Sequence, residues 1–236
     1  MDTDKNHSDN ESWRTELFDA VSKSRTFANL RASHGLGEKS VLDLGCGHGQ
    51  YLKHFGLGSV GITTASDEVD YGATQGLDIR FGNAERLDQA SLGKRFEAVW
   101  ANNLFEHLLA PHAFLMHLKK TVTDDGLLLL GVPVFPVLPG LTRFTRFRGV
   151  FASNHINFFT RRTLRFTVER AGWKILDVRG FFFKNRFLDG LACLVAPHMY
   201  VVAKNNTAFV YPPKKYHEWV EDEHYADLLR ITGQKK

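Results

Sequence analysis

Cysteine is almost missing from this 236-residue chain, where only Cys46 and Cys193 occur. Two distant thiols give neither a disulfide framework nor a metal-ligand spacing, so a reducing cytoplasm and a site without metal are expected. Long apolar runs are also missing, and no stretch approaches the roughly 20 residues of a membrane span. Residues 1–12 are polar and acidic without an apolar h-region, which argues against a secretory signal and for a disordered lead. No internal repeat is evident. The net charge is only +4, with 43% apolar and 24% charged residues, the balance of an ordinary globular protein. The length suits one good core with appendages.

What is present begins at Val41-Leu42-Asp43-Leu44-Gly45-Cys46-Gly47-His48-Gly49. An apolar run enters a turn with glycine at every second position, and a helix-compatible segment follows. This predicts a strand, a tight loop and a helix from about His48, a place where backbone N–H groups meet a nucleotide-like ligand. Glycine serves there because a Cβ would crowd the ligand or forbid the required φ. The spacing is G-x-G-x-G led by an acid, unlike the G-x-G-x-x-G of dinucleotide enzymes. Cys46 fills a loop position where a small residue suffices.

Strand and helix signals alternate around this loop. Trp13 to Ala32 has near-helical apolar spacing. Strands are predicted at Ser40–Leu44, Ser59–Thr63, Leu77–Phe81, Phe96–Ala101, Leu127–Val132, Trp173–Gly180 and His198–Ala203. Helices are predicted after Ser66, at about Ala84–Ser91, from Pro111 to Lys120, from a Thr160 cap to Ala171, and from Lys214 to Ile231. Asp124-Asp125-Gly126 reads as a turn and residues 133–155 as a loop-like insert. The alternation implies a parallel sheet with crossover helices. Three units are expected: a helical lead over 1–34, the main domain over 35–204, and a helical tail over 205–236.

Three further blocks follow the glycine loop in order. They are Arg80-Phe81-Gly82-Asn83-Ala84-Glu85, then Phe96 to Leu108 ending in Glu106-His107-Leu108, then His155-Ile156-Asn157-Phe158-Phe159-Thr160 with Ala171-Gly172-Trp173. Together they resemble the class I S-adenosylmethionine-dependent methyltransferases, and are similar to the ubiquinone-type O-methyltransferases, over about residues 35–204. The resemblance implies an α/β, Rossmann-like class I methyltransferase fold: a seven-stranded, mostly parallel sheet with an antiparallel last strand and helices on both faces. It implies S-adenosylmethionine as cofactor. It places Asp43, Gly45, Cys46, Gly47, Gly49, Thr63, Asn83, Ala84, Asn102, Leu104 and His107 around that cofactor, and no metal.

Two positions depart from the family pattern. Thr63 stands where an acid usually ends strand two and bonds both ribose hydroxyls, and Asn83 replaces a frequent Asp at the adenine. Neutral partners here weaken cofactor binding by about 1–2 kcal/mol together. They leave open a scaffold that binds the cofactor without transferring methyl groups. The missing acid and the glycine spacing both disfavour an NAD(P)-dependent oxidoreductase.

Methyl transfer to a hydroxyl gains from a positioned base, and histidine suits that task. His107 and His155 are the candidates, with His155 expected on the acceptor side. From Arg143 to Phe187 the chain carries eleven Lys or Arg, two acids and ten Phe. Arg143, Arg146, Phe147 and Arg148 are expected to hold the acceptor, a small aromatic or lipophilic acid methylated at oxygen. Exposed Phe beside Arg also suits contact with an anionic membrane surface. An RNA acceptor is the weaker alternative, since no RNA-binding appendage accompanies the stretch. The oligomeric state is not legible.

Overall fold

The computed structural model describes residues 3–87 and 92–220. Seven strands form one sheet: β1 (Val41–Leu44), β2 (Val60–Thr63), β3 (Ile79–Phe81), β4 (Phe96–Asn102), β5 (Val122–Pro133), β6 (Trp173–Arg179) and β7 (His198–Asn205). Their spatial order is β3-β2-β1-β4-β5-β7-β6. The pairs from β3 to β5 are parallel, and β7 runs antiparallel to both β5 and β6. This is the expected fold.

Side-chain alternation assigns each face of the sheet to its own core. Leu42, Val99, Ala101, Leu128, Leu130 and Val201 pack on one face. Val41, Ala98, Trp100, Leu129 and Val202 pack on the other. A period of two in near-continuous apolar strands buries both faces, as a sheet covered by helices requires. The first face is covered by α4 (Pro111–Thr121) and α5 (Arg161–Arg170), through Phe114, Leu115, Leu164 and Val168. The second is covered by α1 (Thr3–Lys23) and α2 (Arg25–His34), through Val21, Phe27 and Leu30. The remaining helices among the described residues are α3 (Ser66–Thr74), α6 (Arg186–Ala192) and α7 (Pro213–Trp219).

Several expectations are corrected. Residues 3–12 are not a disordered lead but the start of α1. No α-helix begins at His48; turns run to Tyr51 and a single 3-10 turn spans Leu52–His54. The reason is the glycines: Gly45, Gly47 and Gly49 have φ of 69°, 56° and 86°, and such repeated left-handed residues prevent a helical turn from starting. Asp124-Asp125-Gly126 is not a turn before the strand but an irregularity within β5, where pairing steps from Phe96↔Val122 to Ala98↔Leu127. The helix predicted after Ser66 begins at Ser66 itself, with Ala65 at the cap position. The predicted helix over Ala84–Ser91 is a 3-10 turn at Ala84–Arg86, with 88–91 outside the described residues. The insert contains 3-10 turns at Pro139–Arg143 and Thr145–Phe151. The tail helix is seen as α7, and residues 221–236 lie outside the described residues.

Candidate active site

The carboxyl ends of β1 to β4 converge on a cleft of about 250 Å³. It is lined by Gly45 and Gly47, Ile62 to Thr64, Glu68, Gly82 to Ala84, Leu104 and Leu108. Such crevices at the carboxyl edge are where open α/β sheets bind ligands. Six of the expected cofactor residues line it: Gly45, Gly47, Thr63, Asn83, Ala84 and Leu104.

The loop is held from beneath. Gly45 N–H and Cys46 N–H both donate to the Ile62 carbonyl, at 2.9 and 3.1 Å. Cys46 turns its side chain into a small core with Leu52 and Ile79, and its thiol donates to the loop carbonyl of Gly47 at 3.4 Å. Its thiol fills the space a Cβ on Gly61 would need, 2.6 Å away, and burial raises its pKa. Gly49 is also a packing residue, since a Cβ there would meet Leu77 at 2.6 Å.

Asp43 lies under the loop at 1% exposure, and its Oδ2 has no hydrogen-bond partner in the protein. Burial pushes this carboxyl up to about 8. An orphaned buried carboxyl next to the cleft fits a ligand that brings a cation or donor.

At the end of β2, Thr63 does not stand alone. Its hydroxyl donates to Oε2 of Glu68, in the first turn of α3, and accepts from Ala65 N–H at 3.2 Å. Glu68 lines the cleft with Thr63, so the cleft does contain a carboxylate. The sequence signal for Glu68 is an acid one turn past β2. Glu68 Oε1 also lies 3.8 Å from Nδ1 of His48, a buried ring packed edge-on to Trp13 of α1 and Tyr71 of α3. Asn83 uses its Oδ1 to accept from Glu85 N–H at 2.8 Å, which leaves one lone pair for a ligand.

Asn102 and His107 do not line the cleft. Asn102 Nδ2 donates to the Tyr51 hydroxyl at 3.3 Å. His107 belongs to a 3-10 turn, Phe105–His107, set between the lining residues Leu104 and Leu108. The turn is clamped by the third sequence block. Ile156 N–H and Asn157 N–H donate to the Glu106 carbonyl at 3.0 and 2.9 Å, and Asn157 Nδ2 donates to the Leu108 carbonyl at 2.6 Å. His155 is thereby carried to His107, with ring centroids 4.8 Å apart. Glu106, 1% exposed, sits between them, and burial raises its pKa.

Asn103 and His198 were not singled out from sequence. Asn103 has a left-handed φ of 52°, uncommon for a residue other than glycine. Its Oδ1 accepts from Nε2 of His198 at 2.9 Å. His198 is half-buried, and desolvation pushes its pKa down to about 4.

A second groove, about 440 Å³, opens beside the ends of β5 and β7. Phe135, Val137, Phe166 and Met199 line it, with Arg161, Arg162 and Arg165 of α5 at its edge. Arg143 and Arg148 are exposed on the 3-10 turns and line neither cleft nor groove. The side chains of Arg146 and Phe147 lie outside the described residues. A larger cavity of about 520 Å³ between α1 and α3 is reached by none of the expected site residues.

Comparison with known proteins agrees with this geometry. A family model described as Methyltransferase domain matches residues 13–178. No curated protein matches the sequence. A SAM-dependent methyltransferase from Archaeoglobus fulgidus superposes with a TM-score of 0.57 at 19% identity, covering 81% of this chain and 99% of its own. One from Mesorhizobium loti gives 0.58 at 14% identity, covering 78% and 100%. The [4+2]-cyclase SpnF shares the fold at 0.51 and 18% identity, covering 72% and 75%, so the fold alone does not name the reaction. The matched family, the strand order and the glycine cleft together make this chain a member of the class I S-adenosylmethionine-dependent methyltransferases, with S-adenosylmethionine as its cofactor.

Proposed function

We propose that this enzyme methylates an oxygen of a small aromatic or lipophilic acid. The observation that carries this reading is topological. The cofactor cleft and the arginine-edged apolar groove open at the same edge of the sheet, one beyond β1–β4 and the other beyond β5. The groove's apolar wall suits a ring or acyl body, and Arg161, Arg162 and Arg165 suit a carboxylate. Arg143 and Arg148, exposed on the 3-10 turns, are further acceptor contacts in this reading.

Bound in the cleft, S-adenosylmethionine supplies a methyl group already activated by its sulfonium charge, so the protein's task is alignment. Asp43 faces the methionine ammonium from below the loop. Glu68, oriented by the Thr63 hydroxyl, replaces the acid missing from the end of β2 and binds the ribose hydroxyls. Asn83 and Ala84 border the adenine. The Glu106–His107–His155 cluster handles the acceptor's proton, with His155 the group nearest the acceptor side. The two thiols, both buried and free, suit a reducing cytoplasm.

Titration with S-adenosylhomocysteine and product analysis with a pool of phenols and carboxylates test this. Micromolar binding, weakened about tenfold in Glu68→Gln by loss of a charge-assisted hydrogen bond, is the expected result, with methyl appearing on oxygen. Tight binding with no methylated product from any acceptor would favour the non-catalytic scaffold instead.

A further inference from the structure

Glu106 is the most anomalous side chain among the described residues. Its side chain is 2% exposed, and neither carboxylate oxygen has a hydrogen-bond partner. The polar atoms facing Oε1 are Nε2 of His155 at 3.8 Å and Nε2 of His107 at 3.9 Å, both beyond hydrogen-bond range.

The other nitrogen of each ring is already committed. Nδ1 of His107 donates to the Asn154 carbonyl at 2.9 Å, and Nδ1 of His155 to the Val150 carbonyl at 3.3 Å. A carbonyl only accepts, so Nδ1 carries the proton and each neutral ring presents its Nε2 lone pair to Glu106. Two lone pairs converging on an unpartnered carboxylate repel unless a cation lies among them. Backbone carbonyls that fix the tautomer are the usual outer partners of metal-binding histidines.

We propose that Glu106, His107 and His155 form a binding site for a divalent first-row transition ion, of which Zn²⁺ and Co²⁺ are the probes. The three ligand atoms lie within 4.8 Å of one another. Tetrahedral bonds of about 2.0–2.1 Å would bring them to about 3.3–3.4 Å, a closure of roughly half an ångström along each measured edge. Two imidazoles and one carboxylate favour such ions over Mg²⁺ or Ca²⁺, which prefer oxygen. His107, with 30% of its side chain exposed, leaves one side of the site accessible. An acceptor hydroxyl would bind there, its pKa lowered by the ion, and release its proton to water on the exposed side of the site, which makes His155 a ligand rather than the base itself. That last assignment rests on the O-methylation reading; the ion site does not.

The test is a Co²⁺ titration of the chelator-treated full chain, read by visible absorption and competed with Zn²⁺. One equivalent should bind, and Glu106→Gln, His107→Ala and His155→Ala should each weaken it at least about tenfold. S-adenosylhomocysteine affinity, measured in the same samples, should stay at the wild-type value and show that the variants are folded. Absence of a cobalt spectrum, or undiminished binding in a His107→Ala/His155→Ala double variant, would overturn the site. Adding a phenol or carboxylate acceptor should then shift the cobalt bands. Cobalt binding without that shift keeps the ion site and overturns only the acceptor assignment.

Discussion

Asp43 combines two demands in one side chain. It occupies the third position of a four-residue buried strand, where a leucine would pack without cost, yet it is a carboxyl with an unpartnered oxygen. Its pKa of about 8 lies far above the ordinary value near 4, so the folded chain binds a proton that the unfolded chain has released between those pH values. The stability this proton contributes is fully present below about pH 4 and is lost as pH rises towards 8. Melting temperature should therefore decline between pH 5 and 8 through this group, and Asp43→Asn should flatten the decline. A bound ammonium favours the ionised carboxylate, so S-adenosylhomocysteine binding should release a proton. Affinity should rise by up to about tenfold per pH unit below 8 in calorimetric titrations, a dependence missing from Asp43→Asn. Residue types announced Asp43; the Thr63–Glu68 pair they did not, because the hydrogen bond joins a strand end to a helix turn whose orientation the sequence leaves open.

Among the elements, α5 shows local sequence and function coinciding. Thr160 accepts from Thr163 N–H, and Thr163 Oγ1 accepts from Thr160 N–H, a reciprocal cap that fixes where the helix starts. The helix buries Leu164 and Val168 and turns Arg161, Arg162 and Arg165 to the groove. Thr160→Ala should cost about 1 kcal/mol in denaturant unfolding and blur the position of those arginines, so acceptor KM should rise more than kcat falls. This helix was legible because cap, apolar spacing and the glycine stop at Gly172 agree. The helix expected after β1 was not, because three left-handed glycines override a helix-compatible composition.

For the molecule as a whole, the surface bears on where its acceptor resides. Among the described residues no helix is long and apolar enough to cross a membrane. Yet Phe144, Phe151, Phe158, Phe187, Leu188 and Leu191 are exposed in segments that also carry Arg143, Arg148, Lys184 and Arg186. Aromatic and aliphatic side chains beside cations suit an anionic lipid surface. The protein should co-sediment with vesicles containing phosphatidylserine and not with purely zwitterionic ones, and Phe187→Ser with Leu191→Ser should weaken that association several-fold. Equal recovery with both vesicle types would remove the membrane from the picture.

By itself the sequence determined the sheet, its two buried faces and the glycine loop, because apolar periodicity and glycine torsions are local properties that survive without knowledge of partners. The meeting of Glu106 and His107 with His155 was decided only by tertiary structure, through backbone hydrogen bonds that bring a distant loop onto the turn after β4. The same holds for Glu68 beside Thr63 and for the groove of α5 arginines against Phe135 and Met199. Site chemistry depends on distances of a few ångströms between remote segments, and only packing sets those.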